Sequence, residues 1–167
     1  MKLVALVALL AITGCSSSSS SAPFRNTNDE QWPVGTEVEL EPGIPLTFPR
    51  STVEGEARLA ATARAHLARF RQDWGRPVPP VSIGVLYSRS FKRCVRDDVP
   101  HVGCYCLTGS GRASILVVLG ERGELPALTH ELGHHVLTGP DPEHKDPRWP
   151  AIERQGDAFA EELRARP

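Results

Sequence analysis

The chain has 167 residues, 40% of them hydrophobic and 23% charged, enough for one small domain with one core. Its net charge is −1, with both signs mixed along the chain and no basic stripe, which argues against nucleic acid as a partner. Four cysteines at uneven spacing are compatible with an exported protein.

In chain order, Met1-Lys2 gives a short basic start and Leu3 to Ile12 a continuous apolar run. That run is too short to span a bilayer as a mature helix and has the layout of an export signal. It ends in Ile12-Thr13-Gly14-Cys15, which resembles the lipobox of bacterial lipoproteins. The resemblance implies a signal peptide over 1–14, cut before Cys15, with lipid on that cysteine. The mature chain would then be membrane-anchored in the bacterial cell envelope without a transmembrane helix. Ser16 beside the cysteine implies the outer membrane by the same resemblance, facing the periplasm or the cell surface. Residues 15–49, opening with a serine run and continuing rich in Pro and Gly, read as a flexible tether. The alternative is a strand or two around 34–40 and 44–48.

Ser51-Thr52-Val53-Glu54 is a capping box. The helix that follows carries Leu59, Ala63, Leu67, Phe70 and Trp74 on one face and stops at Gly75 and Pro77. His66 beside this stripe reads as a packing or surface residue. Three strands follow, over 81–87, 102–107 and 115–119, the last apolar throughout and hence central or covered on both faces. Cys94, Cys104 and Cys106 can form one disulfide, from Cys94 to Cys104 or to Cys106; the other reading is a second zinc site of Cys94, His101, Cys104 and Cys106.

Next comes a helix expected to begin near Glu124, with Pro126 in its first turn and Leu125, Leu128, Leu132 and Val136 as its apolar stripe. It contains His130-Glu131-Leu132-Gly133-His134, an H-E-x-x-H motif. Two imidazoles four residues apart lie one above the other on a helix and can share one Zn²⁺. The glutamate between them can act as general base towards a water at the metal's open side. His135 sits at the edge of the stripe and reads as a packing or supporting residue. Asp146-Pro147 can open a last helix with Ile152, Gly156, Phe159 and Leu163 on its buried face and Glu153, Asp157 and Glu161 on another. The layout is α+β: an N-terminal helix, a small three-stranded sheet that can be mixed, the motif helix and a C-terminal helix.

A catalytic zinc needs a third protein ligand. The residues leave Glu153, His144 and Glu161 open. Glu153-Arg154-Gln155-Gly156-Asp157, following His-Glu-x-x-His, resembles the pattern of the gluzincins. The run from Glu153 to Leu163 is similar to that of the ImmA/IrrE-type zincin-like peptidases, with Gly156 where that family usually has alanine. The resemblance implies a minimal zincin-like metallopeptidase domain over 50–167. It further implies Zn²⁺ on His130, His134 and Glu153, with Glu131 as general base and Asp157 orienting His130. The activity it implies is hydrolysis of peptide bonds in a peptide or protein substrate. Tyr105, His101, His144 and Arg148 have the chemistry of an oxyanion donor. The substrate strand would lie along the edge of the Cys104–Leu119 hairpin. Two other functions share the same residues: a non-catalytic binding or assembly lipoprotein on this scaffold, and a zinc amidase acting on a cell-wall bond.

Overall fold

A computed structural model of the chain describes residues 31–88, 90, 101–107, 112–137 and 144–165; the lipobox and Cys94 lie outside them. In order, the elements are β1 (Thr36–Glu41), β2 (Ile44–Phe48), α1 (Val53–Trp74), β3 (Ser82–Leu86), β4 (Gly103–Leu107), β5 (Ala113–Val118), α2 (Leu128–Leu137) and α3 (Trp149–Ala165). The α+β class and the three helices agree with the sequence reading. The sheet differs from it: among the described residues it has five strands in the order β1-β2-β3-β5-β4, not three.

The two additional strands come from the stretch expected to be tether. β1 and β2 form an antiparallel hairpin, and β2 continues the sheet by pairing parallel to β3. The prolines and glycines that suggest a linker sit where a hairpin tolerates them. Pro42-Gly43 is the turn, with Gly43 at φ 80°, and Pro45 lies opposite Glu39 in the outermost pair of strands. Between the prolines, Leu40, Ile44, Leu46 and Phe48 are all buried in the main core. The folded domain therefore begins earlier than residue 50, with strand already at Thr36.

Thr52, one residue later than expected, caps α1: its hydroxyl accepts the Gly55 N–H at 3.1 Å. The reciprocal bond comes from Glu56, whose carboxylate accepts the Ser51 N–H at 3.1 Å and the Thr36 hydroxyl at 2.9 Å, tying the helix start to β1. Gly75, left-handed at φ 70°, ends the helix. The α1 stripe packs on β2, β3 and β5 together with α2 and the start of α3, so all three helices share one face of the sheet. Alternation along β5 divides its apolar residues: Ile115 and Val117 join that core, while Leu116 and Val118 join Cys104 and Cys106 in a smaller cluster on the opposite face.

α2 starts at Leu128, four residues later than expected. Pro126 disfavours helical backbone at Leu125. The chain instead makes a turn in which the Gly120 N–H reaches the Glu124 carbonyl at 2.8 Å and the Glu124 carboxylate accepts the Arg122 N–H at 2.9 Å. α3 begins just after Asp146, whose carboxylate accepts the Arg148 N–H at 2.9 Å and whose carbonyl accepts the Trp149 N–H at 3.0 Å.

Candidate metal centre

α2 lies between β4 and α3, and two glycines set how closely it packs on α3. A Cβ on Gly133 would lie 2.8 Å from the Trp149 indole, and one on Gly156 would lie 3.1 Å from the Thr129 side chain. The glycine at 156, where the resembled family usually has alanine, thus brings α3 onto the residue just before His130. On the other flank, Gly103 of β4 faces Glu131 and Ala127; a Cβ there would be 2.4 Å from the Glu131 carboxylate. Glu131 itself is buried against this edge strand.

Three imidazoles converge at the exposed end of this packing. His134 Nε2 lies 3.2 Å from His130 Nε2 and 3.3 Å from His144 Nε2. A ring nitrogen carries either one hydrogen or one lone pair, so His134 Nε2 cannot make a well-aligned hydrogen bond with both neighbours. A cation satisfies all three lone pairs at once. Two metal–nitrogen bonds of ~2.05 Å at a tetrahedral angle separate their nitrogens by about 3.3 Å, the spacing found here. Among the described residues, His130, His134 and His144 are the group whose ligand atoms lie close enough to hold a metal ion. Burial lowers the pKa of His130 below the usual imidazole value, as does neighbouring His144, while Glu153 opposes the shift. The ring is therefore neutral near pH 7, the form that coordinates.

His144, and not the Glu153 expected from the resemblance, brings the third potential ligand atom to this group. Its backbone is left-handed at φ 47°, the only described residue other than glycine with positive φ. This sparsely populated conformation turns the loop before α3 so that the ring meets α2. The Glu153 carboxylate lies on the far side of two rings, 3.9 Å from His130 Nδ1 and 3.7 Å from His144 Nδ1, where it can orient them. That is the role expected of Asp157. Asp157 is exposed, one helical turn further on, and makes no hydrogen bond or ion pair with His130. Glu161 lines a groove with Gly120 and Glu124 instead.

Tyr105, on the helix-facing side of β4, stacks on His134 with ring centroids 6.3 Å apart, and its hydroxyl is 3.5 Å from His135 Nδ1. His135 Nε2 donates to the Pro79 carbonyl at 3.0 Å; burial lowers the pKa of this ring, and that hydrogen bond opposes the shift. His135 is thus a support, as expected. Arg148 is bound to Asp146 and lies over Trp74, bracing the loop that carries His144. His66 is fully buried, with Nδ1 3.1 Å from the Thr129 hydroxyl. Cys104 is disulfide-bonded and Cys106 keeps a buried thiol. A second zinc site using the Cys104 thiolate is thereby excluded. Sequence reasoning missed Trp149 and Gly103, because nothing local marks a helix-opening tryptophan or a strand glycine as neighbours of the motif.

Compared with known proteins, the chain matches no family model, no curated protein and no solved structure.

Proposed function

We propose that this protein is a zinc-dependent hydrolase of peptide bonds, in which His130, His134 and His144 hold the ion and Glu131 is the general base. The observation that carries the proposal is the convergence of three imidazoles at ligand spacing, two of them from the H-E-x-x-H motif itself. When bound, zinc supplies Lewis acidity, polarising the scissile carbonyl and lowering the pKa of water. A Glu131 carboxylate oxygen takes the proton of the attacking water and passes it to the leaving amine nitrogen. Glu153, 3.9 Å and 3.7 Å from Nδ1 of His130 and His144, lies beyond hydrogen-bond length, but its charge favours the tautomer with hydrogen on Nδ1 and so leaves both Nε2 lone pairs for the ion. β4 is an edge strand beside α2, so an extended peptide can add to it through backbone hydrogen bonds. Lipid on Cys15 would hold this domain at a membrane of the cell envelope, and among the described residues no helix is long and apolar enough to cross one.

Glu131→Gln tests the reading. The variant should bind one equivalent of zinc as the wild type does and lose hydrolysis of a mixed peptide library. If the variant and the wild type cleave alike, or neither cleaves any peptide, the catalytic assignment fails.

A further inference from the structure

Trp149 opens α3 and is 2% exposed. Its indole touches all three imidazoles, with ring centroids 5.2 Å from His130, 4.6 Å from His134 and 4.3 Å from His144. The edge of its six-membered ring rests on Gly133, where a Cβ would lie 2.8 Å from Cζ3 and 3.0 Å from Cη2. The indole Nε1–H is buried with no acceptor among the described residues. Hydrogen bonding therefore does not explain a tryptophan here. What this side chain supplies is a rigid plate with large faces.

We propose that Trp149 is the positioning residue of the metal centre and that Gly133, inside the H-E-x-x-H motif, is what admits it; the inference rests on the metal reading above. Each imidazole coordinates only while its lone pair points at the common centre, and rotation about its own side-chain bonds would spoil that. His130 and His134 share a helix, but His144 arrives on a loop. One plate packed against all three removes the rotation before an ion arrives, so the ordering cost is met in folding and not in binding. The indole also excludes water from one side of the cluster. Its electron-rich face favours the positive charge that imidazoles gain on ligating a cation. A side chain at position 133 would push the plate away, which accounts for the motif's glycine by contact with α3.

The test uses the full chain and Zn²⁺ affinity, measured by competition with a chromophoric chelator, with the visible spectrum of the Co²⁺-loaded protein as a second readout. Trp149→Leu should weaken Zn²⁺ binding about 10–100-fold and alter the Co²⁺ spectrum. Trp149→Phe, which keeps a smaller plate, should recover part of both. Gly133→Ala should also weaken binding, and Gly133→Ala combined with Trp149→Leu should bind no more weakly than Trp149→Leu alone, because the methyl then has nothing to displace. Trp149→Leu with wild-type affinity and an unchanged Co²⁺ spectrum, even at a lower melting temperature, would make the tryptophan a packing residue only and overturn the inference. Losses that multiply in the double variant would overturn the role of Gly133. A wild type that binds no Zn²⁺ would instead overturn the metal reading, and this inference with it. Should Gly133→Ala not fold by circular dichroism, the two Trp149 variants and the Co²⁺ spectrum still decide.

Discussion

Gly103→Ala is the substitution that most directly probes the role proposed for Glu131 as general base. The new methyl would lie 2.4 Å from Glu131 Oε1, 3.0 Å from Glu131 Cγ and 2.7 Å from the Ala127 Cβ. Ordinary contact needs about 3.5 Å, so the carboxylate must withdraw by roughly 1 Å, or β4 must move off α2. β4 is paired with β5 along its whole length, from Gly103 opposite Val117 to Leu107 opposite Ala113, and it carries the disulfide of Cys104. The Glu131 carboxylate is therefore the part that gives way most, while the Ala127 Cβ, fixed to the backbone, requires a further shift of several tenths of an ångström between β4 and the start of α2. A displacement of ~1 Å in a reacting group costs on the order of 100-fold in rate, and overpacking of this kind costs about 1–3 kcal/mol of stability. The imidazoles do not touch Gly103, so zinc content should stay at the wild-type level. The assay pairs kcat/KM on a cleaved peptide with metal analysis and a thermal melt of the same preparation. Full activity in a folded Gly103→Ala protein would refute the placement of Glu131 against this edge strand as the working position. Parallel loss of zinc and activity would mean that the substitution acts through the whole centre.

The remaining predictions separate ligands, buried charge and anchor. His144→Ala should lower zinc affinity much more than Glu153→Gln, which keeps an oxygen beside both Nδ1 atoms; equilibrium dialysis that ranks them the other way restores Glu153 as the ligand. Burial pushes the pKa of His66 down to about 4, so below pH 6.5 the unfolded chain binds a proton that the folded chain refuses. Stability from this group is complete above pH 6.5, declines as pH falls towards 4 and then levels off, a loss of about 3 kcal/mol in all. Urea unfolding of the zinc-free protein should show most of that slope disappear in His66→Met, with a remainder from His130 and His135, whose pKa values burial also lowers; equal slopes in both proteins would be the contrary result. Cys15→Ser should move the protein from the membrane fraction to the soluble fraction, and unchanged membrane association would remove the lipid anchor.

Features set by neighbours along the chain were legible in residue order. The four-residue spacing of His130 and His134 guarantees that a helix stacks them, whatever the rest of the fold does. The α1 stripe, the left-handed cap at Gly75 and the apolar run from Ile115 to Val118 in β5 follow from similarly local rules. Contacts between distant segments were not legible. The stretch from Thr36 to Phe48 is strand because β3 offers it a partner, a fact spread over more than thirty residues. Glu153 and His144 are both near enough in sequence to reach the motif, and residue type favours neither. The choice came from the left-handed backbone at His144 and from the close approach of α3 through Gly133 and Gly156, which leaves Glu153 on the outer edge of the rings. Periodicity reports which face of an element is apolar, but the third corner of the centre depends on the angle and separation at which two helices meet, and those are properties of the packed core.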